Sequence, residues 1–183
     1  MYYTFKLLLF GDGGVGKTSL VERYVNGTFK EDSQMKIGVQ FLVKRLKMDE
    51  DNVNLQIWDF GGEERFRFLL PAYCRGARGG IFIYDVTSPG SLYSLDKWLR
   101  VIRQWSSAFP VIMVGTKLDL RPHRKVMKEE VTTVASEYNI PEVIEVSSKS
   151  GQNVGLVFET ISKLMLRGTV QNTVVGMIAQ NPM

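Results

Sequence analysis

One stretch near the N-terminus decides the fold, Gly11-Asp12-Gly13-Gly14-Val15-Gly16-Lys17-Thr18. It matches the pattern G-x-x-x-x-G-K-[ST], whose backbone N–H groups surround phosphate oxygens. The apolar run Thr4 to Phe10 precedes it and predicts a strand, and apolar residues at helical spacing follow from Lys17 to Val25. The start of that helix adds the positive end of its dipole to the phosphate site. The stretch therefore predicts that the chain binds a nucleoside di- or triphosphate.

The residues of this stretch have separate expected roles. Lys17 is expected to reach the β- and γ-phosphates, and the Thr18 hydroxyl is expected to ligate Mg²⁺. A Gly-rich turn that only closes a strand–helix unit is the alternative, but it leaves the lysine and threonine unexplained. Further phosphate contacts are expected from Asp12, Gly13, Gly14, Val15, Gly16 and Ser19.

The rest of the chain alternates strand-like apolar runs with helix-like stripes. The expected strands occupy 4–10, 39–44, 53–58, 80–84, 111–114 and 143–146. The expected helices occupy 17–25, 92–105, 127–138 and 154–165. The second and third strands form a hairpin, and the later strands lack polar alternation, as in a parallel sheet buried on both faces. The pattern predicts an α/β fold with a mostly parallel sheet, helices on both sides and one antiparallel edge strand.

Ligands of such sheets bind at the carboxyl ends of the strands, so the segments after the strands are the candidate sites. Asp59 and Gly61 follow the third strand. We expect Asp59 to hold Mg²⁺ through water and the Gly61 N–H to meet the γ-phosphate. A simple turn aspartate is the alternative.

Two further loops predict a guanine pocket. Asp119 follows the fifth strand, and a carboxylate there would accept hydrogen bonds from N1 and the amino group of guanine, a donor pair that adenine lacks. In the same loop, Thr116 and Lys117 precede it, and the Lys117 stem would cover the base. After the sixth strand, a backbone N–H near Ser148 would meet the guanine carbonyl oxygen. Its neighbours Ser147 and Lys149 complete the pocket, with a solvated loop lysine as the alternative for Lys149.

Composition excludes several other classes of protein. The 183 residues suit one domain. Cys74 and His123 are the only residues of their types, which argues against a disulfide framework, a Cys-rich zinc cluster and a multi-histidine metal site. The net charge of +4 is too small and scattered to predict nucleic-acid binding. No signal peptide and no membrane-spanning run is recognisable.

Together, these loops resemble the Ras superfamily of small GTPases over residues 4–167, and the Rab branch fits best. The Rab-like stretches are Ile37-Gly38-Val39-Gln40-Phe41, Trp58-Asp59-Phe60-Gly61-Gly62-Glu63-Glu64-Arg65-Phe66, Tyr73-Cys74-Arg75-Gly76-Ala77 and Tyr84-Asp85-Val86-Thr87. The resemblance implies a three-layer P-loop NTPase fold, or G domain, with a six-stranded sheet and five helices. We expect that domain to occupy 1–168, followed by a short tail over 169–183.

The same resemblance implies the parts of a molecular switch. Residues 27–38 and 60–74 would be the segments that respond to the γ-phosphate, and Phe29 would lie against the guanine edge. Phe41, Trp58 and Tyr73 would form a hydrophobic triad for effectors, with ordinary packing as the alternative. The usual asparagine of the guanine motif is Thr116 here, a variant that we interpret as tolerated.

Two departures from the family concern hydrolysis. We place Gly62 at the position of the glutamine that orients the attacking water, and glycine has no side chain to hold a water. Glu63 or Glu64 is the alternative, although a carboxylate would repel the γ-phosphate. Lys36 stands where a threonine ligates Mg²⁺, and an ammonium cannot ligate a metal cation. Hydrolysis, which we expect to involve Lys17, Gly61 and Gly62, is therefore predicted to be slow.

The tail is a third departure, because Rab proteins usually end in prenylated cysteines and 169–183 contains none. We therefore expect no stable membrane anchor, a cytoplasmic location and a monomer. The cofactors would be GTP or GDP with Mg²⁺. The partners would be effector, exchange and activating proteins, in the vesicle trafficking that the Rab resemblance implies.

The first interpretation is thus a Rab-like guanine-nucleotide switch that hydrolyses GTP slowly. A second is a nucleotide-locked interaction module, or pseudo-GTPase, which the substitutions at Gly62 and Lys36 favour. A third, an ATP-using phosphotransferase or ATPase, requires that Asp119 does not read the base.

Overall fold

In a computed structural model, the described residues are 1–30, 38–61, 70–105 and 109–180. The strands are β1 (Tyr2–Phe10), β2 (Val39–Met48), β3 (Asp51–Phe60), β4 (Ala77–Asp85), β5 (Val111–Thr116) and β6 (Val143–Glu145). The helices are α1 (Lys17–Asn26), α2 (Leu70–Cys74), α3 (Pro89–Tyr93), α4 (Leu95–Trp105), α5 (Lys128–Glu137) and α6 (Val154–Gln180). A 3₁₀ turn spans Leu118–His123.

The strands form one sheet in the order β2-β3-β1-β4-β5-β6. β1 runs parallel to both β3 and β4, and β5 runs parallel to β4 and β6. Only β2 is antiparallel within this described sheet, and its hairpin with β3 pairs Met48 with Asp51 at the turn. The predicted mixed sheet with one antiparallel edge strand is confirmed.

The expected helix over 92–105 is divided at Ser94 into α3 and α4. The Ser94 hydroxyl donates to the carbonyl oxygen of Ser91 at 2.9 Å, and such a local bond competes with the helical ladder. The described residues therefore hold six helices where the family pattern implied five.

The carboxyl-terminal half of β1 is buried on both faces because helices cover both sides of the sheet. Leu7 and Leu9 pack with α1 and α6, whereas Leu8 and Phe10 pack with α3 and α4. All four side chains are fully buried. This central strand holds the phosphate-binding loop, which begins at its carboxyl end, on a rigid base.

Where the chain leaves β1, the backbone of Gly11 packs closely against the backbone of β4. Gly11 has a φ of +141°, and a Cβ there would lie 2.2 Å from the carbonyl oxygen of Ile83, so only glycine fits. At the other end of the loop, Gly16 has a φ of +94° and turns the chain into α1. The sequence and the sheet together therefore fix both ends of the loop.

At the other end of the chain, α6 continues past residue 168 as far as Gln180. A helix therefore joins the expected domain to the expected tail, and the boundary at 168 stays a prediction. Among the described residues, no helix combines the length and apolar character needed to span a membrane.

Candidate nucleotide-binding site

The ammonium group of Lys17 lies over the loop that precedes α1. It donates hydrogen bonds to the carbonyl oxygens of Gly11 at 2.9 Å and Asp12 at 2.6 Å. Burial lowers the pKa of Lys17 to about 8, and the carboxylates of Asp59 and Asp12 partly oppose this shift. A desolvated cation held at the loop is well suited to meet a phosphate group, whose charge would favour the protonated form.

The two residues expected to hold a metal ion are in direct contact. The Thr18 hydroxyl donates to Oδ2 of Asp59 at 2.6 Å. The parallel register of β1 and β3, which pairs Leu9 with Asp59, brings that carboxylate to the phosphate-binding loop. Both side chains offer oxygen, the donor that Mg²⁺ prefers, so the residues fit this ion. When bound, Mg²⁺ would neutralise phosphate charge.

Gly61, the expected γ-phosphate contact, has its N–H engaged inside the protein. It donates to the carbonyl oxygen of Gly38 at 2.8 Å, just beyond the paired residues Val39 and Phe60 of the hairpin. A contact between this N–H and phosphate would have to replace that bond. Gly62, Glu63, Glu64 and Lys36 lie outside the described residues, as do 31–37 and 62–69 of the two expected switch segments.

The candidate base reader Asp119 lies beside the loop after β6. Its Oδ1 accepts a hydrogen bond from the Ser147 hydroxyl at 2.6 Å. The backbone joins the same loops, because the N–H of Leu118 donates to the carbonyl oxygen of Val146 at 3.0 Å. The structure thus brings together residues that the sequence assigned to one pocket. Ser148 is buried, Lys149 is exposed, and Phe29 is half-buried after α1.

Sequence reasoning missed Asp85, which holds Lys117 in place. The Lys117 ammonium lies 2.6 Å from Oδ2 of Asp85 at the end of β4. Oδ1 of Asp85 accepts from the N–H of Thr87 at 2.8 Å and from its hydroxyl at 2.7 Å. Lys117 itself has a φ of +62°, so its backbone is strained as well. An acidic residue ending a buried strand was the available signal.

Sequence reasoning also missed Arg23, which connects α1 to the loop after β6. Its guanidinium donates to the carbonyl oxygens of Gly27 at 3.1 Å and Ser150 at 3.4 Å. A Cβ at Gly151 would lie 3.0 Å from the same guanidinium, so the loop packs closely against it. No sequence motif marks this arginine.

Thr116 ties the base loop to the phosphate-binding loop. Its hydroxyl lies 2.5 Å from the carbonyl oxygen of Val15 and 3.0 Å from that of Tyr84. The single proton is donated to one of them at a time, and the shorter distance favours Val15. The side chain is buried. Threonine therefore links the two loops from the position where the family pattern has asparagine.

We expect Thr116→Val to raise the rate of GDP dissociation about tenfold, because a buried carbonyl loses its donor. Stopped-flow release of a fluorescent GDP analogue measures the effect. Thr116→Ser, which keeps the hydroxyl, should stay close to the wild type. Equal rates for the valine variant and the wild type would show that the link is not needed.

Comparison with known proteins shows which family shares this sequence. The model of the Ras family matches residues 6–167. Rab-19 of Rattus norvegicus is 38% identical over 165 residues, which cover 90% of this chain and 76% of that protein. The GTP-binding protein ypt3 of Schizosaccharomyces pombe is 39% identical over 160 residues, covering 87% and 74%. Rab-1 of Theileria annulata is 39% identical over 165 residues, covering 89% and 74%.

The chain belongs to the Ras family. Its similarity to Rab proteins confirms the predicted resemblance, and it is a Rab-like small GTPase. Ras-family GTPases in general bind GTP and GDP with Mg²⁺ and interact with effector, exchange and activating proteins. The loop with Lys17 and the Thr18–Asp59 pair fit that general chemistry.

This Rab-like chain presents the three expected aromatic residues as one continuous patch, the Phe41–Trp58–Tyr73 triad. Ring centroids are 5.0 Å apart for Phe41 and Trp58 and 5.3 Å apart for Trp58 and Tyr73. Phe41 is 49% exposed. The Lys6 ammonium lies 4.5 Å from the centroid of the Trp58 ring and adds a charge beside the patch.

Cys74, which ends α2 near this triad, is fully buried, and burial raises its pKa to about 11. We expect a thiol reagent at pH 8 to label the native protein at least about 10²-fold more slowly than an exposed cysteine, because the thiolate is the reactive form. Absorbance after addition of Ellman's reagent measures this rate. Denaturant should restore rapid labelling, whereas rapid labelling of native protein would contradict the burial.

Proposed function

We propose that this chain is a guanine-nucleotide switch that binds GTP and GDP with Mg²⁺ and hydrolyses GTP slowly. The observation that carries the proposal is the placement of three groups at the carboxyl ends of parallel strands. Lys17 begins α1 after β1, the Thr18–Asp59 pair joins α1 to β3, and the Asp119–Ser147 pair follows β5 and β6. A phosphate clamp, a metal site and a base reader at one edge of the sheet suit a nucleotide.

Each group has a defined task in the proposal. Lys17 neutralises phosphate charge, and the N–H groups of the loop orient the phosphate oxygens. Thr18 ligates Mg²⁺ directly and Asp59 holds it through water. Asp119 accepts two hydrogen bonds from guanine while the Lys117 stem, held by Asp85, covers the base. Gly13 has open space where a Cβ would be, which suits an arginine supplied by an activating protein.

The hydrogen bond between Gly61 and Gly38 changes which glycine we assign to the γ-phosphate. Because the Gly61 N–H is engaged at 2.8 Å, we assign the γ-phosphate contact to the next residue in the sequence, Gly62. The water-orienting position then moves from Gly62 to Glu63. A carboxylate there repels the γ-phosphate, so slow hydrolysis is still expected.

Lys36 supports the same expectation from the metal side. An ammonium at the position of the switch threonine gives Mg²⁺ no oxygen ligand. The first switch segment then lacks its usual side-chain reason to close over the triphosphate. Together with Glu63, this residue favours the second candidate function, an interaction module that binds nucleotide and does not turn it over.

The partner surface is proposed to be the Phe41–Trp58–Tyr73 triad, since Tyr73 belongs to the second expected switch segment and Phe41 follows the first in the sequence. Effectors would bind the triad in the GTP state and would dissociate from it after the γ-phosphate is released. We further propose that the protein is a cytoplasmic monomer. Its action in vesicle trafficking is what the Rab resemblance implies.

Calorimetry with nucleotide-free protein tests the binding part. We expect GDP and GTP to bind in the presence of Mg²⁺ and ADP to bind at least about 10³-fold more weakly, because adenine lacks the donor pair. Equal affinity for ADP would contradict the role of Asp119 and favour an ATP-using enzyme.

Single-turnover hydrolysis then separates the two candidate functions. Mg²⁺-dependent phosphate release from bound GTP supports the switch. Release at the background rate over hours supports the locked module.

A further inference from the structure

Asp12, the second residue of the phosphate-binding loop, is held by α4, which covers the face of the sheet opposite to α1. Its Oδ1 accepts a hydrogen bond from the indole N–H of Trp98 at 3.0 Å. Trp98 lies on α4 and is 1% exposed. The contact joins residues that are 86 positions apart in the chain.

Trp98 contacts the chain on both sides of Gly11, where the loop begins. Its ring packs against that of Phe10, the last residue of β1, with centroids 6.2 Å apart. Its N–H binds Asp12, the residue after Gly11. One buried side chain therefore fixes the direction in which the chain leaves β1.

Asp12 passes this constraint on to Lys17. The carbonyl oxygen of Asp12 accepts from the Lys17 ammonium at 2.6 Å, the shorter of the two hydrogen bonds that this ammonium makes to the loop. The indole thus holds the Asp12 side chain toward α4, while the Asp12 backbone carbonyl holds the Lys17 ammonium.

We propose that Trp98 is a positioning residue for nucleotide binding, which holds the phosphate-binding loop in its binding conformation through Asp12. Trp98 does not contact the nucleotide in this proposal. It lowers the cost of ordering the loop, and so it slows the loss of any bound nucleoside diphosphate without affecting the choice of base. The inference rests on the proposed nucleotide binding.

The test uses Trp98→Phe, which keeps an aromatic ring and removes the N–H, and Asp12→Ala, which removes the acceptor from the other side. Each variant should release a fluorescent GDP analogue about tenfold faster than the wild type. The double variant should release the analogue no faster than the faster single variant, because both substitutions break the same hydrogen bond. Asp12→Asn keeps Oδ1 as an acceptor and should release the analogue more slowly than Asp12→Ala does.

Tyr93→Phe is the matched control. It also removes a donor to a carboxylate, the hydroxyl that binds Glu130 at 3.0 Å, from the helix just before α4. Its dissociation rate should not change. All variants should keep the wild-type preference for GDP over ADP.

A second readout needs no nucleotide. In ¹⁵N-labelled protein, the indole resonance that is lost in Trp98→Phe should shift in Asp12→Ala, and it should shift less in Asp12→Asn, which keeps an acceptor. Two results would overturn the inference. One is a fold-increase in the double variant equal to the product of the two single increases, and the other is an indole resonance that does not shift in Asp12→Ala. Wild-type protein that binds no GDP would overturn the proposed function, and the indole result would still decide whether the Trp98–Asp12 bond forms.

Discussion

Asp119→Ala is expected to lower the affinity for GDP by about 10²- to 10⁴-fold, because two hydrogen bonds to a charged acceptor are lost. The weak affinity for ADP should not fall, since adenine makes no such pair. Calorimetry on nucleotide-free protein measures both values. The Ser147 hydroxyl, which donates to this carboxylate at 2.6 Å, would remain, but a neutral hydroxyl does not replace the two acceptor oxygens of the carboxylate.

Asp119→Asn gives a sharper test of the same contact. The amide places a donor where the carboxylate only accepts, so we expect the preference to move toward xanthosine diphosphate, which carries a carbonyl oxygen in place of the amino group. Glu129→Ala removes an exposed carboxylate far from the site and should leave all affinities unchanged. Unaltered GDP binding by Asp119→Ala would show that another group reads the base.

Glu63→Gln is expected to raise the rate of single-turnover GTP hydrolysis about 10²-fold, the size of effect that follows from correct positioning of a reacting group. The neutral amide donates and accepts hydrogen bonds and so orients a water without repelling the γ-phosphate. Adding Lys36→Thr should raise the rate further, because a hydroxyl becomes available to Mg²⁺. Phosphate release with Mg²⁺ and with EDTA measures both effects.

Gly62→Gln is the matched variant at the neighbouring position. If Gly62 provides the N–H for the γ-phosphate, a side chain there should not accelerate hydrolysis. Acceleration by Gly62→Gln with none by Glu63→Gln would show instead that Gly62 occupies the water-orienting position, and that the hydrogen bond of Gly61 to Gly38 is replaced in the GTP state.

The sheet was predictable because its signals are local. The apolar runs 80–84 and 111–114 lie within β4 and β5, and the alternating pattern placed the hairpin correctly. The ends of the elements depend on distant partners. β1 begins at Tyr2, two residues before the apolar run, because Tyr2 and Tyr3 pair with Asn52 and Val53. The break at Ser94 was missed because the apolar stripe continues across it.

The site divides in the same way. Short motifs at the carboxyl ends of strands contain the residues Lys17, Thr18, Asp59 and Asp119, so their positions could be inferred from the sequence. The residues that hold these side chains and their loops in place could not be inferred in this way. The contact of Arg23 with Ser150 spans 127 positions and that of Trp98 with Asp12 spans 86, and no periodicity links such pairs. Which of these contacts forms depends on how the layers pack, and the motifs carry no information about that.

The central position of β1 has a consequence for the order in which the chain folds. Leu7 pairs with Ile57 on one side and Gly79 on the other, so this strand must wait for two large loops to close. Among the strand pairings of the described sheet, only the β2–β3 hairpin joins residues that are close in the sequence. We therefore expect slow refolding that is limited by these long-range pairings. On the ribosome, the phosphate-binding loop would reach its position only after β4 has emerged.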